Sequence, residues 1–214
     1  MCGKIRAKPS WTSVTAPEGV AASSEEESVT HRVMADLPVI VFDGGDRQVL
    51  PMRWGFPDPQ DWRRPRPIHA RAETIDSVPA FAQAFRNGQR GIVLVESFNE
   101  APGSGAQHIV TPAGPIGIAY VWKRFDLGGA SLLACVMVTV AANRLLEGLP
   151  TDRMPAALAP EDWATWLGED DASPDAVKAC LRTVEDGRWT MTREQRATST
   201  RRTRPTVSDP AGLF

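Results

Sequence analysis

The sequence has little cysteine and no pairing pattern among what it has. Cys2, Cys135 and Cys180 are an odd number, lie far apart, and none belongs to a C-x-x-C pair. Neither disulfides nor a metal or other cofactor is therefore expected. Excess positive charge is also missing: 24 Lys plus Arg against 26 Asp plus Glu give a net charge of -2. Global attraction to a polyanion is excluded, so any nucleic-acid site must be a local patch. No stretch approaches the roughly 20 apolar residues that cross a bilayer, and the opening MCGKIRAKPSW lacks the apolar run of a secretion signal. A cytoplasmic protein without membrane contact is expected. No Gly-rich phosphate loop links a strand to a helix, which leaves Rossmann and P-loop folds without support.

What is present is enough for one core: 214 residues, 42% of them hydrophobic. One domain is expected over residues 1–192, and a monomer. Residues 8–30, rich in Pro, Ser, Thr, Ala and Glu, read as a mobile loop. Residues 193–214, with arginines at 193, 196, 201, 202 and 204 and little apolar periodicity, read as a flexible tail. Ile- and Val-rich runs at 37–42, 91–96, 116–122 and 131–141 predict strands. Residues 77–88, with Ser77 as N-cap, predict a short amphipathic helix, and 160–168 and 173–184 predict two more with Pro in the first turn. The fold class expected is α+β, a mainly antiparallel β pseudo-barrel with flanking helices.

Cys2 follows the initiator methionine and precedes a glycine that cannot crowd it. Removal of Met1 would give it an α-amine with a pKa of about 7.7 to 8.0 beside a thiol of about 8.5. Such a 1,2-aminothiol condenses with an aldehyde, the amine forming an imine that the thiol closes into a thiazolidine. An acyl substrate would instead be attacked by the thiolate, with the amine as base. Position alone allows both.

Seven segments in register narrow the choice: Met-Cys-Gly at the start, PMRWGFP at 51–57, HARAET at 69–74, VESFNE at 95–100, IAYVW at 118–122, TVAAN at 139–143 and DRMP at 152–155. Together they resemble the SOS response-associated peptidase (SRAP) family from residue 2 to about 167. The resemblance implies a β-rich pseudo-barrel that binds single-stranded DNA and joins its processed N-terminal cysteine to abasic sites. It also implies release of the chain's own Met1. On it, Cys2 matches the nucleophile, Glu100 the acid/base glutamate, and Arg71 an arginine that holds a phosphate near the lesion. A carboxyl group can supply the proton that imine formation needs, and a guanidinium forks onto phosphate. Lys4, Arg53 and Arg153 become candidate phosphate contacts, and Trp54 a surface for an unpaired base or a core anchor. An ion pair of Arg71 with Glu73 is the structural alternative for that turn.

Three positions depart from the family pattern. Thr151 stands where a histidine is usual, and it has no group that titrates near pH 7. His69 stands where an asparagine is usual, and either supplies the missing imidazole or hydrogen-bonds as the asparagine does. Asn99 and Ala101 flank Glu100 in place of two aromatics, which weakens base stacking there. Two other readings compete with covalent capture of abasic DNA. One is a single-stranded DNA-binding module without catalysis; the other is an N-terminal cysteine amidohydrolase or peptidase, for which His31, His69 and His108 offer no triad motif.

Overall fold

A computed structural model describes residues 2–8, 27–100, 107–114 and 116–194. The four predicted strands form, three of them longer than the apolar runs that signal them and the fourth matching its run. They are β3 (Asp36–Asp43), β6 (Arg90–Glu100), β8 (Ile116–Asp126) and β9 (Ser131–Ala141). Consecutive residues in β6, β8 and β9 are buried, which is why these strands read as unbroken apolar runs rather than alternating ones. Before and between them come β1 (Lys4–Ala7), β2 (Val29–Arg32), β4 (Asp46–Trp54), β5 (His69–Arg71) and β7 (His108–Pro112). Behind them come β10 (Arg153–Pro155), β11 (Ala157–Leu158) and β12 (Trp189–Arg193).

All twelve strands share one sheet. Strands β8, β9, β4, β3 and β6 pair in turn, and β6 returns to pair with β8, closing a ring. Most pairings are antiparallel, but β4 and β5 both run parallel to β9. The pseudo-barrel with few helices is thus the architecture observed. Its interior packs Trp54, Tyr120, Ile5, Leu37, Met52, Ile92, Ile118 and Met137, all fully buried.

Among the described residues, three α-helices flank the sheet: α1 (Pro79–Arg86), α2 (Trp163–Leu167) and α3 (Pro174–Ala179). Helix α2 plugs one side of the core, its Trp166 Nε1 donating to the Gly91 carbonyl at 3.0 Å and Trp163 Nε1 to that of Leu158 at 3.1 Å. Two helix expectations need correction. Val78 rather than Ser77 caps α1, and Ser77 Oγ donates instead to the Thr74 carbonyl. Helix α3 stops at Ala179, well short of residue 184, although its N-cap Ser173 accepts from Ala176 N–H as its sequence suggests.

The loop and tail boundaries also shift. Val29–Arg32 is strand β2, paired with β1, so the loop expected to reach residue 30 ends before it. Arg193 closes β12, and Glu194 N–H donates to the Gln107 carbonyl at 2.8 Å. Residues 9–26 and 195–214, which carry most of the expected loop and tail, lie outside the described residues. Among those described, no helix is long and apolar enough to cross a membrane.

A tight turn sets the course of the chain beside the barrel. Gly55, directly after β4, has φ +110°, and a Cβ there would lie 2.3 Å from Pro65. Only glycine lets the chain reverse so tightly at this point. Residues 56–68 then form a loop before β5 begins, closed by Phe56 N–H donating to the Pro67 carbonyl at 3.0 Å and Arg66 N–H to the Phe56 carbonyl at 2.8 Å.

Candidate functional site

Register brings the ends of several motif segments together. Strand β1 pairs with β6 as Lys4 with Asn99 and Ile5 with Phe98, so Cys2, two residues before β1, arrives beside Glu100 at the end of β6. Strand β9 supports the opposite wall: Thr139 is level with Arg71 of β5 and with Pro155 of β10. Cys2, Glu100, Thr139, Arg153, Met154 and Pro155 line one small pocket at this junction.

Two hydrogen bonds hold Cys2. Its thiol donates to the Lys4 carbonyl at 3.4 Å. Its carbonyl accepts from His69 Nε2 at 2.8 Å. Its backbone N–H lies near enough to the Glu100 carboxylate to favour the charged form of that group. Burial pushes the thiol up to about 12, and the negative charge of Glu100 adds to that rise. Burial also pushes the Glu100 carboxyl above the ordinary carboxylate range, against the pull of the Cys2 N–H. A carboxyl shifted upward keeps a proton to give at higher pH than a surface glutamate does.

A carbonyl only accepts, so His69 carries its proton on Nε2. Its Nδ1 is buried with no hydrogen-bond partner among the described residues. Burial lowers the His69 pKa, opposed by the bond to the Cys2 carbonyl, and the ring is held neutral. The imidazole therefore does what an asparagine side-chain amide could do, anchoring the Cys2 backbone. Because the folded-state pKa is depressed, His69 favours folding above its unfolded pKa of about 6.5, and that contribution is lost as pH falls toward the folded value. His69→Asn should flatten this acid limb: thermal melts between about pH 7 and 5 should fall less steeply than those of the wild type. Thr151 adds no imidazole; its hydroxyl donates to the Arg153 carbonyl at 2.9 Å and accepts from Arg153 N–H at 3.3 Å, shaping the entry to β10.

Four of the five candidate DNA contacts are committed elsewhere. Trp54 is fully buried, its Nε1 donating to the Ile68 carbonyl at 3.3 Å, so it is a core anchor and offers no face to a base. Arg53 is buried beneath the 56–68 segment, with Nη1 donating to the Trp62 carbonyl at 3.2 Å. Burial lowers its pKa, with Asp36 across the strand pair opposing. Arg153 is buried and forks onto Glu73 at 2.7 and 2.8 Å while also donating to the Thr139 carbonyl at 2.6 Å. Its hydrogen bonds hold Glu73 below the usual carboxylate range. The Glu73 ion pair is thus made with Arg153, not with Arg71. Lys4 Nζ pairs with Glu194 at 2.9 Å. Arg71 alone of the five is exposed.

Among the described residues, the segment with the most accessible DNA-compatible groups lies outside the family-like motifs. Trp62 is 52% exposed, and the Arg63 guanidinium lies 5.5 Å from its ring centroid. Arg64 and Arg66 are near it in the chain, Arg64 exposed, and the segment leads straight into His69 and Arg71. Its signal is legible in WRRPR: a tryptophan with three arginines in five residues.

All three cysteines are free. Among the described residues no group of His, Cys, Asp and Glu could hold a metal ion.

Fold and site together define a β pseudo-barrel in which a thiol near the chain start is set against a buried carboxylate. The chain matches the SOS response associated peptidase (SRAP) family over residues 1–198, and it belongs to that family. It is 25% identical over 178 residues to the abasic site processing protein YoqW of Bacillus subtilis, covering 78% of this chain and 76% of that one. A second B. subtilis relative, the abasic site processing protein YoaM, is 25% identical over 177 residues, covering 77% and 74%. Among solved structures, a protein of Bacteroides thetaiotaomicron superposes with a TM-score of 0.73 at 19% identity, covering 91% of this chain and 93% of its own. One from Bordetella bronchiseptica gives 0.73 at 19%, covering 91% and 100%. At that identity these two speak for the fold.

Proposed function

We propose that the chain processes abasic sites in DNA, capturing them in single strands as a covalent adduct through Cys2 once Met1 has been released. The observation that carries this reading is the meeting of Cys2 and buried Glu100 in one pocket, with the Cys2 backbone N–H near enough to the carboxylate to favour its charged form. Release of Met1 turns that nitrogen into an α-amine, so the group that would attack an aldehyde is born beside a carboxyl that can protonate the departing hydroxyl. The names of the curated relatives, both abasic site processing proteins, point to the same substrate.

The chemistry draws on the groups at hand. The amine adds to C1′ of the ring-opened deoxyribose and water leaves with a proton from Glu100, giving an imine. The thiol then adds across C=N: a C–S bond forms, the π pair moves to nitrogen, and the thiol proton ends there. The product is a thiazolidine, with one water lost overall. His69 keeps the Cys2 backbone in place throughout.

DNA would approach over the exposed face of Trp62, with Arg63, Arg64, Arg66 and Arg71 toward phosphates. Stacking of a base on Trp62 is worth about 1–3 kcal/mol, so Trp62→Ala should weaken single-stranded DNA binding by about tenfold. Fluorescence anisotropy at fixed salt checks it, and unchanged affinity would remove this path. The function itself is tested on a denaturing gel. Protein incubated with single-stranded DNA bearing an abasic site should give a heat-resistant shifted band, and intact DNA of the same sequence should give none. A wild type that makes no such band on abasic DNA sinks the reading.

A further inference from the structure

Two donors on neighbouring strands converge on one carboxylate. Lys4 of β1 and Asn99 of β6 are register partners, so their side chains stand on the same face of the sheet. Lys4 Nζ donates to Glu194 Oε1 at 2.9 Å and Asn99 Nδ2 to Glu194 Oε2 at 3.5 Å, one donor to each oxygen. Gln107 Oε1 accepts from both donors at 3.4 Å. Asn99 is buried, and it is one of the two residues that stand where aromatics are usual. This chain therefore has a hydrogen-bond donor where the family pattern has a ring.

The backbones of the same two residues face the proposed nucleophile. The Cys2 thiol donates to the Lys4 carbonyl at 3.4 Å, and the Asn99 backbone N–H lies near enough to the sulfur to favour its charged form. Glu194, directly after β12, fills the seat without closing it: its side chain is 34% exposed and that of Lys4 18%. An ion pair this open to water contributes little, because solvent and salt screen it. Arg153 differs, since it forks onto Glu73 and bonds the Thr139 carbonyl as well. The commitment of Lys4 is thus the exchangeable one. A DNA phosphate brings a full negative charge and more acceptor oxygens to the same donors. The surroundings suit a polyanion: exposed Arg32 of β2 stands opposite Lys4 in register, and Arg6, next on this face of β1, is paired with Glu96 at 3.0 Å.

We propose that Lys4 and Asn99 form a phosphate seat for the DNA strand captured at Cys2, and that Glu194 is its resting occupant, displaced when the strand binds. The inference rests on the chain being a single-stranded DNA-binding protein. No covalent bond is made or broken; one anion replaces another on the same donors. Glu194 keeps Lys4 ordered while DNA is absent and competes with each phosphate that reaches it.

Glu194→Gln keeps the shape of the side chain and removes its charge. Binding of an intact single-stranded oligonucleotide, followed by fluorescence anisotropy across a salt series, reads the exchange without any covalent step. In the wild type the displaced carboxylate recruits a salt cation as the phosphate sheds one, so the seat adds almost nothing to the salt dependence. In Glu194→Gln only the release remains. Affinity at low salt should rise by about fivefold, and the slope of log K against log salt should steepen by about 0.7. Adding Lys4→Gln to Glu194→Gln should erase both changes. Equal affinities and parallel slopes in the wild type and Glu194→Gln would overturn the seat, as would a loss of affinity in Glu194→Gln or a gain that survives in the double variant. A Glu194→Gln melting temperature that rises with inorganic phosphate, beside a DNA affinity unchanged from the wild type, would assign the seat to a free anion and overturn the DNA assignment. The expected gain in a protein that forms no adduct with abasic DNA would refute capture and leave the seat standing.

Discussion

Cys2→Ala is expected to abolish the heat-resistant adduct with abasic single-stranded DNA while leaving salt-sensitive binding in place. The distinction is chemical. Alanine at position 2 still yields an α-amine once Met1 leaves, so an imine can form, but without sulfur the ring cannot close and the imine hydrolyses on denaturation. Borohydride should therefore rescue a band in Cys2→Ala by reducing the imine to an amine, whereas the wild-type band should not need it. A stable band in Cys2→Ala without reductant would show that another nucleophile is responsible. Loss of all DNA binding in the variant would show that Cys2 serves the fold rather than the chemistry.

Glu100→Gln is expected to slow adduct formation by about a hundredfold, within the range for loss of a positioned general acid. The amide preserves the shape of a side chain that is 1% exposed, so affinity for DNA should be retained and the loss should fall on the rate. The pH profile separates this from a packing defect. Burial raises the Glu100 pKa, and the protonated form is the one that assists loss of water. In the wild type that assistance is fully present below the folded-state pKa and disappears as pH rises through it, at a pH above the ordinary carboxylate value of about 4.3. Glu100→Gln has no such group, so single-turnover rates should lose that limb. Rates within about threefold of the wild type at all pH values would exclude Glu100 from the proton transfer.

The fold was legible where strands are long and apolar on both faces, as in β6, β8 and β9. It was not legible where pairing rests on three or four residues, as in β1, β5 and β10, because no periodicity is measurable over so short a span. Strand β4 carries no apolar run to signal it, since Pro51 and charged residues interrupt it, yet its register with β3 runs unbroken from Asp46 to Arg53.

The site divides in the same way. The motifs point to Cys2 and Glu100, and the β1–β6 register brings the two together. Motifs say nothing of partners, however. Arg153 was expected to meet phosphate and instead grips Glu73; Trp54 was open to either role and is core. Trp62 was missed because it falls between two motif segments, although its neighbourhood is the more basic and the more exposed. The histidine at position 69, open in the sequence either to supply an imidazole or to hydrogen-bond as an asparagine does, meets a carbonyl 2.8 Å away that fixes its proton and makes it an anchor.

The central claim is that release of Met1 creates an aminothiol that captures abasic DNA. Intact mass spectrometry of the purified chain, alone and after incubation with an abasic oligonucleotide, tests both halves at once. The account predicts a protein lacking its initiator methionine, and a second species equal to that protein plus the oligonucleotide minus one water. A chain that keeps Met1 and gains no mass, or one that loses Met1 and still gains none, would contradict it.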